Sequence, residues 1–207
     1  MSSPILIYLA VEDDLSEAVL RRILKQRDVR YEPLRFNAEC GGSGFLKQKV
    51  AAFNNISRAV PVLLLTDLDS AECPVSLIET WFGKQMRHAD FIFHVVVREV
   101  EAWLLADDVT LCRFLKLRRK VSFVLPEDDA DPKATLLGLA AGSPSRDVST
   151  GIVRRNKNGM LQQGAVYNVE LSQFVAEHWT VERAVKKCPS LQRLLRALDS
   201  FERRLTA

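Results

Sequence analysis

Along the first hundred residues, unbroken apolar runs take turns with amphipathic ones. Strands buried on both faces and separated by helices produce this pattern. Ile5 to Val11 is the first run, and behind it Leu15, Val19, Leu20, Ile23 and Leu24 recur at helical spacing. Tyr31 to Phe36 reads as a weaker strand, and Pro33, which cannot donate to a ladder, assigns it to a sheet edge. Residues 37–44 read as a flexible glycine-rich loop, leading into a helix over Phe45 to Phe53 that carries Lys47 and Lys49. Val60 to Leu65 and Phe91 to Val97 are two further continuous runs, with a short helix over Pro74 to Phe82 between them and another beginning at Val100. Strand and helix in alternation predict an α/β fold, a Rossmann-like, small and mainly parallel sheet flanked by helices.

Beyond Asp107 the rhythm changes. Leu111 to Leu117 is helical in pattern, Lys116, Arg118, Arg119 and Lys120 form a basic cluster, and Pro126 to Pro132 is a polar connector. The helix from Lys133 to Ala141 has Pro132 at its first position and Asp131 as N-cap. Residues 142–164 lack apolar periodicity and read as a mobile loop carrying Arg146, Arg154, Arg155 and Lys157. Val166 to Trp179 and Val181 to Leu205 read as helices, the second interrupted at Pro189. The expected organisation is a core over 1–110 and a basic, mostly helical C-terminal extension over 111–207 packed on it.

Charge sharpens this division. Residues 1–110 hold 12 Lys+Arg against 16 Asp+Glu, a net −4, and residues 111–207 hold 17 against 10, a net +7. An acidic half beside a basic one suits a polyanionic substrate held over a metal site, although a basic helix surface also arises without such a role. No apolar run approaches the roughly 18 residues that span a bilayer, and no basic stretch precedes the first run, so the expected location is cytoplasmic, with no membrane partner. Cys40, Cys73, Cys112 and Cys188 have neither zinc-site spacing nor a disulfide framework.

The candidate chemistry lies at strand ends, where open α/β sheets bind their ligands. The first run ends on Glu12, the Val60 run on Asp67 and Asp69, and the Phe91 run on Glu99 with Glu101 close behind. If extended geometry persists past Leu68, Asp67 and Asp69 point the same way, and like charges so placed call for a cation or a shared proton. The competing reading makes Asp67 a helix cap and Asp69 a solvated turn residue. Asp13 or Asp14 accounts for the N-cap of the first helix, which leaves Glu12 without that explanation. His94, inside its strand, reads as a core imidazole. With no histidine pair present, an oxygen-ligated metal is favoured over zinc. The glycine-rich loop before Phe45 could hold phosphate but lacks the full spacing of a P-loop.

Val11-Glu12 at the first strand end, Ser16-Glu17 in the following helix and Asp67-Leu68-Asp69-Ser70 at a later strand end resemble the Toprim fold of topoisomerases, primases and overcoming-lysogenization-defect nucleases. The segment from Val97 to Asp107, with Arg98-Glu99-Val100-Glu101-Ala102-Trp103 at its centre, is similar to a bacterial Toprim-like branch, a domain of unknown function associated with phage-defence operons. Asp131-Pro132-Lys133, Ala165-Val166-Tyr167 and the stretch from Cys188 to Leu194 carry the likeness toward the C-terminus. Asp13 stands where the Toprim pattern has glycine.

The resemblance implies a Mg²⁺- or Mn²⁺-dependent phosphodiester nuclease, with Glu12 as general base or metal ligand, Asp67 and Asp69 holding a metal, and Glu99 or Glu101 completing a second position. It makes Arg98 and Lys133 candidates for the phosphate and implies a nucleic-acid partner, with Arg154 and Arg155 the basic-half candidates to contact it. An operon-encoded protein partner and a homodimer are further expectations. Two alternatives stay open: a non-catalytic interaction or regulatory protein of the same fold, and a small-molecule phosphoryl-transfer enzyme.

Overall fold

The structure is a computed structural model that describes residues 3–35, 42–83 and 85–205. The chain divides into two compact units, one formed by residues 1–97 with 192–207, the other by residues 98–191.

The first unit is built on four parallel strands, β1 (Ile5–Ala10), β2 (Tyr31–Arg35), β3 (Val62–Asp67) and β4 (Phe91–Val96), in the order β2-β1-β3-β4. Helices α1 (Asp14–Lys25), α2 (Gly42–Ile56) and α3 (Pro74–Phe82) make the crossovers. Every residue of β4 is buried, and so is β3 as far as Thr66, which explains why neither run alternates in sequence. Odd and even positions still part company. Ala10, Val62, Leu64, Phe91, Phe93 and Val95 pack with Leu46, Val50 and Phe53 of α2 and Leu77 and Phe82 of α3. Ile7, Leu9, Leu63 and Leu65 therefore face the other side, where a right-handed crossover places the apolar stripe of α1. Pro33 does sit in the edge strand.

The order β2-β1-β3-β4 has one consequence for function. After β1 the chain winds outward to β2 and then returns to the far side of β1 as β3, so the topological switch point lies between the carboxyl ends of β1 and β3. Glu12 and Asp67 stand at those two ends.

The second unit contains α4 (Val100–Ala106), α5 (Asp108–Phe114), a 3₁₀ turn over Pro126–Asp128, α6 (Pro132–Ala141), α7 (Arg146–Gly151), a hairpin of β5 (Val153–Arg155) and β6 (Leu161–Gln163), α8 (Tyr167–Glu177) and α9 (Val181–Ala184). Trp103 and Trp179 are fully buried at its centre. The Trp179 indole donates to the Trp103 carbonyl at 2.9 Å, and the Trp103 indole donates to Ser190 Oγ at 2.8 Å, so both large rings have their polar edge satisfied. The last helix, α10 (Pro189–Leu205), begins in this unit, and its remainder belongs to the first. There Arg27 donates to Asp199 and Glu202, and Tyr31 Oη donates to Glu202 at 2.9 Å.

Three expectations need adjustment. The division falls at 97/98 and 191/192, not at 110, because charge composition follows surfaces whereas the units follow packing: the α4 tryptophan is bonded within the second unit, and the end of α10 is bonded to the first. The expected loop over 142–164 is in fact a short helix and a hairpin, whose three-residue strands are too short to leave a period in the sequence. Gly164 closes this arrangement. Its N–H donates to the Ile152 carbonyl at 2.8 Å, and a Cβ there would meet the Gly151 carbonyl oxygen at 2.1 Å. Of the expected glycine-rich loop, residues 37–41 lie outside the described residues, as does Cys40, while 42–44 form the first turn of α2.

Candidate functional site

Glu12 follows Val11 at the end of β1, on the approach to α1, whose N-cap is Asp13: its carboxylate accepts from Ser16 N at 2.8 Å. With the capping work done by Asp13, Glu12 turns toward β3. Its Oε1 accepts from Thr66 Oγ1 at 2.5 Å and from the Asp67 N–H at 3.0 Å, across the switch point. Burial pushes the Glu12 carboxyl above its ordinary range, the bonds from Thr66 and Asp67 pull the other way, and the charges of Asp69 and Asp13 add to the rise. One oxygen is thus fixed by the neighbouring strand, and no hydrogen bond to Oε2 is made among the described residues.

Asp67, half-buried, is the last residue of β3. Extended geometry does not persist to Asp69, so the condition under which the two side chains point the same way is not met, and Asp69 is a turn residue as the competing reading had it. Leu68 is 3% exposed and its N–H donates to Val96 O at 2.9 Å, while its own carbonyl accepts from Ala71 N, so the chain turns there. Asp69 takes a left-handed conformation with φ 48°, which aspartate tolerates better than most residues, and its side chain is exposed.

Glu99 and Glu101 belong to the second unit, where they meet Lys133. The Lys133 ammonium lies 3.3 Å from Glu99 Oε1 and 3.6 Å from Glu101 Oε1, and the Lys133 backbone N–H, in the first turn of α6, donates to Glu99 Oε2 at 3.1 Å. Tyr167 Oη donates to Glu101 Oε1 at 2.8 Å. Glu101 is only 2% exposed, and its Oε2 makes no hydrogen bond among the described residues. Burial pushes its carboxyl up to about 7; Lys133 and Tyr167 resist that rise and the charge of Glu99 adds to it. Lys133 also lines a cleft of about 430 Å³ together with Asp131, Arg154 and Gln162, so two of the cations singled out in the sequence share one cavity. Arg155 is exposed, its guanidinium donating to the Gly159 carbonyl at 3.1 Å, and Arg98 is half-buried at the start of the unit.

The sequence reading missed two residues. Thr66, the one hydroxyl following the apolar residues of β3, anchors Glu12, and a polar residue inside a buried strand was the available signal. Tyr167 was part of a matching segment without a role, and only packing reveals that it supports Glu101.

As to a metal, the donors at the switch point are carboxylate oxygens, the type a hard cation takes, and one Glu12 oxygen is left without a hydrogen bond there. Among the described residues, no group of three or more His, Cys, Asp or Glu side chains is gathered to hold a metal ion. Mg²⁺ does not require such a cage, since it is commonly held by one or two carboxylates, with water and substrate phosphate completing its shell. The residues present fit that mode.

Among the described residues no helix is long and apolar enough to cross a membrane. No curated protein and no solved structure matches the chain. One family does match, over residues 12–199, a span that begins at Glu12 and takes in Asp67, Glu101, Lys133 and Tyr167: the chain belongs to the family described as Domain of unknown function (DUF4276).

Proposed function

We propose that the protein is a divalent-metal-dependent phosphodiester nuclease of Toprim-like type, acting on nucleic acid in the cytoplasm, with phage defence as its setting. The observation that carries this reading is the position of Glu12: a partly buried carboxylate at the switch point of a parallel sheet, held by Thr66 and the Asp67 N–H, with Asp67 at the facing strand end and Asp69 in the turn beyond it. Asp67 and Asp69 would hold Mg²⁺ or Mn²⁺, with Glu12 either a further ligand or the base that takes a proton from the attacking water. The bound ion would neutralise phosphate charge and lower the pKa of water. Thr66 keeps one Glu12 oxygen aimed along the sheet edge and leaves the other for that work. The upward push on the Glu12 carboxyl makes it a stronger base than an exposed glutamate.

The same hydrogen bonds favour a second reading, in which Glu12 is a structural tie between β1 and β3 in a protein that binds a partner without catalysis. Incubation of labelled single- and double-stranded oligonucleotides with the protein and Mg²⁺ or Mn²⁺ separates the two. Cleavage that is abolished by EDTA and falls at least about a hundredfold in Glu12→Gln and Asp67→Asn is expected. Cleavage unaffected by both substitutions, or no cleavage with either metal, supports the structural tie.

A further inference from the structure

We propose that the turn following α5 is a binding surface for single-stranded nucleic acid, with one phosphodiester held between Arg118 and Arg119 and bases entering the clefts on either side. The proposal rests on the nucleic-acid part of the function above and names the surface that holds the strand.

Five of the eight residues from 113 to 120 are cations: Arg113, Lys116, Arg118, Arg119 and Lys120. All five are exposed, and among the described residues none is ion-paired with a carboxylate. The Lys116 ammonium donates to Ser145 Oγ at 3.4 Å, a neutral partner. An ordinary solvated helix surface mixes charges of both signs, whereas this run leaves five like charges together on one turn.

The backbone of the turn is itself unusual. α5 ends in a Schellman arrangement, with Lys116 N donating to Arg113 O at 3.0 Å and Leu117 N to Cys112 O at 2.9 Å. The residue that must enter the left-handed region in this arrangement is normally glycine. Here it is Lys116, at φ 54°. A lysine at that position carries a backbone cost that glycine would not, and what it adds is a side-chain cation beside the other four.

Two cavities flank the turn, of about 500 and 540 Å³, and both are lined by Leu117, Arg118, Arg119 and Val121. Leu139 and Pro144 wall the first, and Val109 and Cys112 the second. Asp108, the acid lining the second cleft, is occupied: its Oδ2 accepts from Ser122 Oγ at 2.9 Å and Phe123 N at 3.3 Å and pairs with Lys187 at 2.6 Å, which fastens the segment after the turn. Two arginines shared by two partly apolar clefts suit a polymer with one charge per unit and a flat apolar ring on each side. Guanidinium planes stack on bases while they neutralise phosphate. An acidic peptide would match the charge but would have no need of the paired clefts.

The test is fluorescence anisotropy with the full chain in EDTA, using a labelled 12-residue oligothymidylate, an abasic strand of the same length, a duplex of the same length and an oligoglutamate peptide. Arg118→Glu with Arg119→Glu should weaken oligothymidylate binding at least tenfold and flatten the slope of log affinity against log salt by roughly 0.7, the contribution of the one phosphate that is no longer neutralised. Arg193→Glu with Arg196→Glu, the same charge change on exposed positions of α10, should act far less. The abasic strand should bind several-fold more weakly than oligothymidylate. Lys116→Gly should weaken binding while raising the melting temperature. Unchanged affinity and slope in the Arg118/Arg119 variant overturn the proposal, as do equal binding of the abasic strand, equal or tighter binding of duplex, or tighter binding of oligoglutamate. Binding needs no metal, so a strand that is bound as described but not cleaved with Mg²⁺ counts against the nuclease alone. Cleavage that survives unchanged in the Arg118/Arg119 variant counts against this surface alone.

Discussion

Glu101→Gln isolates the energetic cost of a buried carboxylate. In the parent, Glu101 is 2% exposed and its carboxyl is pushed up from 4.5 to about 7, burial outweighing Lys133 and Tyr167. Because the folded pKa lies above the unfolded one, the native state binds the extra proton between them. The associated stability is fully present below about pH 4.5 and is lost as pH rises through about 7. At 1.36 kcal/mol per unit, this shift corresponds to about 3 kcal/mol. Glutamine keeps the shape and can still accept from Tyr167 Oη, but it has no charge to bury. The parent should therefore lose stability relative to Glu101→Gln across pH 4.5 to 7.5. In a chain of this size, the difference in melting temperature should change by roughly 6–12 °C. The assay is a pair of thermal or urea unfolding series run in parallel at half-unit pH intervals, with only the difference between the proteins interpreted, so that all other titrating groups cancel. Lys133→Met provides a check of opposite sign: without the ammonium 3.6 Å from Glu101, the pH dependence should steepen. A difference between parent and Glu101→Gln that is flat over this range, or that grows in the parent's favour as pH rises, would refute the reasoning.

Three further outcomes are expected. Asp67→Asn should leave the metal-free protein as stable as the parent or slightly more so, because it removes one of several neighbouring negative charges. Mg²⁺ at a hundred times its dissociation constant should stabilise the parent by about 2.7 kcal/mol and the variant much less, as read by thermal melts with and without the ion. Gly164→Ala should destabilise by roughly 1–3 kcal/mol in urea unfolding, since its Cβ would meet backbone at 2.1 Å that cannot swing away. Tyr167→Phe should cost about 1–2 kcal/mol at pH 8, where Glu101 is ionised, and less at pH 5, because Tyr167 is the hydroxyl donor to that carboxylate.

The first unit was legible because its signals are strong and local. Runs such as Val62–Leu65 and Phe91–Val96 have the length and unbroken apolar character of strands buried on both faces, Pro33 pointed to the edge, and the Asp131-Pro132 pair marked the start of α6 to the residue. Helix α3 also matches its expected span, Pro74–Phe82. What escaped was non-local. Nothing in the pattern says that Arg27 and Tyr31 meet Asp199 and Glu202, some 170 residues later, so the return of the last helix to the first unit could not be read. The hairpin of β5 and β6 has three residues per strand, below the length at which alternation is visible. At the candidate site, strand ends placed Glu12 and Asp67 at one edge of the sheet, where the two do meet. The backbone reversal that separates Asp69 from extended geometry, and the anchoring of Glu12 by Thr66, depend on packing that spacing alone does not encode.

The central claim is that the switch point between β1 and β3 holds a hard divalent cation, and anomalous diffraction from a crystal of the protein soaked in Mn²⁺ tests it most directly. The expected result is a single strong peak within about 2.0–2.4 Å of carboxylate oxygens of Asp67 and one or both of Glu12 and Asp69, absent from a crystal of Asp67→Asn treated alike. A map with no peak at that edge of the sheet, from a crystal whose Glu12 still accepts from Thr66 and the Asp67 N–H, would contradict the claim and leave Glu12 a tie between two strands.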